Sequence, residues 1–153
     1  MGLFGEKKGS VISDYFKLIE PVGSIKEGNM VEVALYLDHL EISTVGIAPI
    51  SLSFEKITDV YYGIETEMVN KQKSVIGRAV TGGLLFGGVG AIVGAVSGTG
   101  EKQKKVYRTL FVISYTSNGE EKFLQFEDTR KYRGKQVAET LKSACHIQDQ
   151  TEL

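Results

Sequence analysis

The sequence predicts a mainly-β α+β fold, in which antiparallel strands form a small, partly open barrel that is capped by one C-terminal helix. Three observations support this prediction. Between residues 30 and 126, apolar and polar residues alternate over several runs, which is the period of half-buried strands. The last apolar stripe of the chain has helical spacing instead. The regular succession of strands and helices that builds a nucleotide-binding sheet is missing from the sequence.

The composition is that of one globular domain without a cofactor. The chain has 153 residues, enough to bury a core, and its net charge of −1 gives no overall attraction to nucleic acid or to an anionic membrane. One cysteine and two histidines argue against a disulfide and a structural zinc site, so no metal is expected. The N-terminus lacks a signal-peptide pattern, and Glu6 stands where a myristoylation motif has Ser or Thr, so we expect a cytoplasmic location.

Residues 1–28 are predicted to form an N-terminal segment with one short helix over residues 10–20, SVISDYFKLIE. Ser10 can cap the start of this helix and Pro21 would end it. Five apolar residues share one helical face: Val11, Ile12, Tyr15, Phe16 and Ile19. We expect the helix to cover one edge of the core, with docking to a membrane surface or to a partner as the alternative.

Residues 29–145 are predicted to form the barrel, interrupted by an insertion at residues 72–104. Alternation begins at Val31, and a turn at Asp38-His39 separates the first two strands of this region. Further strands are predicted at 50–54, 60–68, 106–115 and 122–126. The run at 106–115 is apolar on both faces, as in a central strand, and Ser117-Asn118-Gly119 predicts the hairpin that follows it.

The last predicted element of the barrel is a helix capped by Asp128. Its apolar stripe consists of Val137, Ala138, Leu141 and Ala144 or Cys145. Residues 146–153 form a polar tail.

Three stretches resemble a bacterial pleckstrin-homology-like (PH-like), GRAM-like domain: LYLDHLEIST, ISLSFEKITDVYYGIE and TLFVISYTSNGEEKFLQFED. Together with the last helix they cover residues 30–145. The resemblance implies a seven-stranded, partly open barrel closed by a C-terminal helix, and it implies no catalytic activity. Several bacterial members are similar to this chain in a further respect, since they carry a glycine-rich apolar insertion between the middle strands.

The insertion contains an uncharged stretch from Ala79 to Gly100 in which small residues recur at every fourth position. One row consists of Ala79, Gly83, Gly87, Ala91 and Ala95, and the other of Gly90, Gly94 and Gly98. Such rows let two helix backbones approach closely. Because each helical glycine costs about 1 kcal/mol relative to alanine in water, lipid, other copies or the domain itself must stabilise the segment.

A returning hairpin fits this position better than a single membrane pass. A helix of about 22 residues would reach about 33 Å and could cross a bilayer, but it would leave the two halves of one barrel on opposite sides. The turn is predicted at residues 87–90, with arms of about ten residues or about 15 Å. Basic residues flank both ends, as expected if both face an anionic, cytoplasmic surface: Lys71, Lys73, Arg78, Lys102, Lys104 and Lys105.

Three interpretations of the hairpin remain open at this point. It could dip into one leaflet and hold the protein peripherally on the inner face of the cell membrane, with membrane lipid as the partner. Hairpins from several copies could instead pack through their glycine faces and build an oligomer. In the third interpretation it is a lid on its own barrel or a flexible loop, and the protein is a soluble scaffold that binds another protein or a peptide. The flanking lysines would then only keep the segment soluble.

Other candidate sites give weaker predictions. PH-like domains that bind phosphoinositides use several Lys and Arg between their first two strands, and the predicted loop, Asp38-His39, has none. The cations at residues 130–135 are interpreted as a solvated face. Neither Cys145-His146 nor Asp38-His39 forms a recognisable catalytic motif, so we expect no enzyme activity. Nucleic-acid binding is not expected, because basic residues are neither in excess nor interleaved with aromatic ones.

Overall fold

The computed structural model describes residues 9–64 and 108–147. Within these ranges, seven antiparallel strands form one open sheet and one helix follows them, which confirms the predicted fold class. The strands are β1 (Ile12–Leu18), β2 (Met30–Leu35), β3 (His39–Thr44), β4 (Ile47–Ser53), β5 (Ile57–Ile64), β6 (Thr109–Ser117) and β7 (Glu120–Glu127), and the helix is α1 (Gly134–Ala144). In space the strands follow the order β4-β3-β2-β1-β7-β6-β5, so β4 and β5 are the two edges.

The N-terminal element is a strand and not the predicted helix. β1 pairs with β2 from Ile12↔Leu35 to Lys17↔Met30, and with β7 at Leu18↔Phe126. Phe16 and Leu18 are fully buried, whereas Lys17 between them is exposed, which is the alternation of a strand. The short apolar pattern fits the period of a helix as well as that of a strand. The pairing of this segment with β2 on one side and β7 on the other makes it a strand. The sheet therefore begins at residue 12, so residues 1–28 are not a segment separate from the barrel.

The hairpin between β6 and β7 follows its prediction. Both of its turn residues have positive φ angles, 53° at Asn118 and 80° at Gly119. An Asn-Gly pair adopts this conformation readily, and its twist matches that of antiparallel strands. The pairing from Ser117↔Glu120 to Leu110↔Glu127 carries the register along the whole hairpin.

The core consists of one cluster to which all seven strands and α1 contribute, so the sheet curls around it. At its centre Phe16, Phe111 and Phe126 are fully buried, and their ring centroids lie 5.1 to 5.8 Å apart. Each such ring contributes about 1.5–3 kcal/mol through the apolar surface that it buries. These three rings join β1, β7 and β6, which are three successive strands of the sheet.

Strand β6 is also buried on the face that points away from this core. Leu110 and Val112 are fully buried although they lie outside the core cluster, while Phe111 and Ile113 belong to it. The prediction of a central strand with two apolar faces is therefore confirmed.

The final helix packs with its predicted stripe but begins differently. Val137, Ala138 and Leu141 are fully buried, Cys145 is half-buried against the core, and Ala144 is exposed. Asp128 does not cap α1, which begins six residues later, after Arg133, whose side chain makes no capping bond. The Asp128 carboxylate is instead engaged by other elements at the end of β7, as described below.

We expect Gly134→Ala to destabilise the protein. A Cβ at Gly134 would lie 2.8 Å from Asp128 Cγ and 3.0 Å from Phe16 Cε1, so buried groups would have to move. Overpacking of this kind costs about 1–3 kcal/mol, which a shift of the urea unfolding midpoint would show. Gly46→Asn is the matched control, because nothing lies within 4 Å of its Cβ position and Asn tolerates its φ of 82°. Equal stability of the two variants would contradict the tight contact.

Candidate functional site at the root of the insertion

The inserted segment begins and ends at one point of the sheet. Ile64, the last residue of β5, is the pairing partner of Thr109, the first residue of β6. Next to them, the backbone N–H of Asp128 donates to the Thr109 carbonyl over 2.8 Å, and Arg108 lies 4.0 Å from the Glu127 carboxylate. We call these five residues the insertion root. Any path of the chain between Ile64 and Arg108 must therefore return to where it started.

The residues predicted to contact lipid or a second copy lie outside the described ranges. This holds for the small-residue rows, Ala79, Gly83, Gly87, Gly90, Ala91, Gly94, Ala95 and Gly98. It holds equally for the basic flanks, Lys71, Lys73, Arg78, Lys102, Lys104 and Lys105. Their roles stay predictions. In the part of the chain that the structure describes, no helix has the length and apolar character needed to cross a bilayer.

Two buried carboxylates, that of Asp128 in the root and that of Asp14 in β1, hold the end of β7 and the start of α1 in place. Asp128 is 1% exposed and accepts the Tyr62 hydroxyl at 2.5 Å and the Lys131 N–H at 2.8 Å. Asp14 is 3% exposed and accepts the Arg133 N–H at 2.8 Å and an Arg130 Nη1 hydrogen at 3.3 Å. Both carboxylates therefore have the donors that burial demands.

The same cluster keeps Tyr62 neutral. Burial is the first cause that raises the pKa of the Tyr62 hydroxyl, followed by its hydrogen bond to Asp128 and by the negative charges of Asp128 and Asp14. A phenol with a raised pKa remains a hydrogen-bond donor at physiological pH. The cluster is therefore a clamp between β1, β5, β7 and the segment that leads into α1.

The residues that could suggest catalysis are not arranged for it. Burial raises the pKa of the Cys145 thiol to about 11, so the reactive thiolate is scarce at neutral pH. His39 Nδ1 lies 2.6 Å from Asp38 Oδ1, and this hydrogen bond raises the pKa of His39. The other ring nitrogen lies 3.4 Å from Glu41. Ser53, opposite His39 in β4, accepts the Glu55 N–H.

The loop between the first two strands differs from its prediction, because the sheet has an additional first strand. This loop is residues 19–29 and not Asp38-His39, which lies where the connection from β2 enters β3. Its charged residues are Glu20, Lys26 and Glu27. One lysine between two glutamates does not provide the several basic residues expected of a phosphoinositide site. Because β1 runs antiparallel to β7, the loop leaves the sheet in the direction opposite to that in which β7 runs into the root.

The chain matches the model of a known protein family. A family model described as "Glycine zipper containing PH domain" matches residues 24–126, which are 103 of the 153 residues. The matched range includes β2 to β6, the insertion between β5 and β6, and β7 except for its last residue. No curated protein matches the chain.

We expect Tyr62→Phe to lower the free energy of unfolding by about 1–3 kcal/mol, because buried Asp128 loses a donor. The pKa of Tyr62 is raised from 10.0, so the folded state favours the protonated phenol. The stability that the protonated Tyr62 hydroxyl gives to the folded protein is thus fully present below a pH of about 10, and it decreases as the pH rises above that value. Urea unfolding at neutral pH and in alkali measures both effects. Tyr132→Phe, at an exposed tyrosine, is the control, and an equal loss in both variants would contradict the clamp.

Proposed function

The chain belongs to the family of PH domains that contain a glycine zipper, and from this premise we propose that it is a binding module that its insertion attaches to a membrane surface. PH-like domains are generally non-catalytic and bind lipids or proteins. In this proposal, residues 72–104 form a hairpin that dips into one leaflet, and the folded sheet stays at the cytoplasmic surface. The hairpin arms, or hairpins of several copies, pack through their small-residue rows.

The pairing of Ile64 with Thr109 carries this proposal. Two paired residues of one sheet lie on the same side of any membrane, so a single pass between them is excluded. The insertion is apolar, and its chain must return to the side from which it started. Arms of about 15 Å suit such an insertion to one leaflet, because they reach about half of the hydrocarbon layer.

The charge pattern at the insertion supports lipid as its surroundings. The stretch from Ala79 to Gly100 is uncharged, and basic residues precede it (Lys71, Lys73, Arg78) and follow it (Lys102, Lys104, Lys105). Basic residues at both ends suit a hairpin whose two ends meet the same anionic headgroups. A helix rich in glycine also gains most from an environment in which its backbone hydrogen bonds do not compete with water.

A second candidate function is that of a soluble scaffold with the insertion as a lid. The observation that favours it is the outer face of β6, where Leu110 and Val112 point away from the core and are nevertheless fully buried. A lid would serve to cover such a face. The scaffold would then bind a protein or a peptide without attachment to lipid.

Deletion of residues 75–101 separates the two candidates. We expect the full chain to sediment with anionic vesicles and the deletion variant to remain in the supernatant, since it lacks the apolar segment. Circular dichroism and urea unfolding check that the sheet of the variant is intact. A full chain that stays in the supernatant as a monomer would contradict the attachment. Binding of an apolar dye that appears only after the deletion would favour the lid.

Packing through the glycine rows is tested by Gly90→Leu combined with Gly94→Leu. Two bulky side chains in one row prevent close approach of helix backbones, so we expect self-association in detergent or lipid to be lost while the sheet stays folded. Sedimentation velocity measures the association. Val89→Leu with Val93→Leu is the matched control, because it adds side-chain volume at the same spacing outside the rows. Unchanged association of the glycine variant would rule out this packing.

A further inference from the structure

The segment that joins β7 to α1 emerges at the same end of the sheet as the insertion. β5 and β7 both pair antiparallel with β6, so they run in the same direction and both end at the insertion root. Residues 130–135, RKYRGK, follow within two residues of Asp128, a member of that root. We call them the basic segment. Its position is therefore fixed by the strand pairing and does not depend on the path of the insertion.

The basic segment concentrates positive charge at a helix N-terminus, and the buried Asp14 and Asp128 carboxylates beside it balance only part of that charge. Four of its six residues are cationic and none is acidic, in a chain with a net charge of −1. α1 begins inside it with no side-chain cap and no acidic residue in its first turn. Cations near a helix N-terminus are unfavourable for the helix dipole. Since these charges weaken the start of the helix, an external anionic partner gives them a physical reason.

The backbone of the segment is fixed in one conformation. Lys131 has a φ of 52° and donates its N–H to buried Asp128, and Arg133 donates its N–H to buried Asp14. Arg130 also pairs with Asp14, so its charge is partly satisfied within the protein. The ammonium groups of Lys131 and Lys135 are exposed and are the charges that the segment offers outward, and that of Lys135 also lies 4.0 Å from the Glu139 carboxylate. A partner would thus meet a surface that needs little ordering on binding.

Tyr132 adds an exposed aromatic ring to this surface. Its side chain is 64% exposed, and the guanidinium carbons of Arg130 and Arg133 lie 5.8 and 5.2 Å from its ring centroid. Arg130 also lies 5.3 Å from the centre of the Tyr15 ring. These cation–π contacts hold the two arginines against the tyrosine. A tyrosine surrounded by basic side chains is typical of protein at the headgroup level of a bilayer.

We propose that the basic segment is a second membrane contact, through which the folded sheet rests on an anionic bilayer surface. This inference builds on the proposed attachment through the insertion and fixes the orientation of the sheet. The root faces the lipid, and the loop at residues 19–29 and the turn at Val45 face away, because β1 and β3 run opposite to β7. Lipid-binding through the loop between the first two strands would require the reverse orientation.

A bilayer fits the segment better than a nucleic acid. The four cations of the segment are clustered within six residues, beside the point where an apolar insertion leaves the sheet. The charges that carry nucleic-acid binding usually extend along a groove or a helix face. A flat anionic surface, in contrast, needs only a local cluster of basic residues, each worth about a fivefold gain in binding.

Vesicle binding of full-length charge variants tests the contact. Lys131→Glu with Lys135→Glu reverses the two exposed lysines without removing Arg130 from Asp14. Lys26→Glu with Lys122→Glu is the matched control, since it makes the same charge change at exposed lysines of the opposite end. With phosphatidylcholine vesicles that contain about 30 per cent phosphatidylserine, we expect the first variant to bind at least about tenfold more weakly than wild type and the control less than twofold.

A tryptophan reporter tests the orientation directly, because the chain has no tryptophan. We expect Tyr132→Trp to show a blue-shifted emission when these vesicles are added. Val45→Trp, at a residue that is 98% exposed in the turn between β3 and β4, should show none. A shift at residue 45 but not at residue 132 would overturn the proposed orientation.

The outcomes separate this inference from the proposed function. If wild type binds and the Lys131/Lys135 variant binds equally well, the second contact is wrong and the attachment by the insertion stands. Equal wild-type binding to anionic vesicles and to pure phosphatidylcholine leads to the same conclusion. If wild type binds neither kind of vesicle, both proposals fail. If it instead binds short duplex DNA and the lysine variant does not, the partner of the segment is a nucleic acid.

Discussion

The antiparallel pairing of β5 with β6 is the constraint on which the rest of the molecule depends. These strands are separated in sequence by more than forty residues, yet their facing ends, Ile64 and Thr109, are direct partners. Closing so long a loop costs conformational entropy, although the cost grows only slowly with its length. The burial of β6 on both faces and its pairing on both sides offset that cost. The insertion is therefore added to a sheet in which β6 is paired with β5 on one side and with β7 on the other.

The two buried carboxylates, Asp14 and Asp128, fix the surface segment beside the root to the sheet. Burying a charge is costly unless it is hydrogen-bonded, and Asp14 and Asp128 each accept two hydrogen bonds. Their donors come from β5 and from the segment before α1, so the carboxylates connect the sheet to the helix. The turn that presents Lys131 and Tyr132 at the surface is consequently held by hydrogen bonds to buried carboxylates. A site that needs a fixed shape requires this kind of support.

Much of the fold could be predicted because local signals agree with it. Alternation identified the strands from β2 to β7, and Asn118-Gly119 identified the hairpin between β6 and β7. β1 could not be predicted in the same way, because Ser10 and Pro21 imitate helix ends and a short apolar run fits both periods. The cap assigned to Asp128 failed for a different reason. Its true partners, Tyr62 and the Lys131 N–H, depend on tertiary contacts, one of them 66 residues away.

Some features of the candidate site are likewise visible as local sequence patterns, whereas the role of others depends on their position in the fold. The glycine rows and their basic flanks are visible in the sequence because each is a periodic or clustered pattern. The basic segment is equally visible, but taken alone it indicates only a solvated face. Its significance depends on strand direction, since β7 delivers it to the end of the sheet where the insertion leaves. Once that end is identified, the loop at residues 19–29 is seen to leave the sheet in the direction opposite to that of β7. A module attached to a membrane through the root would therefore direct the loop between its first two strands away from the bilayer.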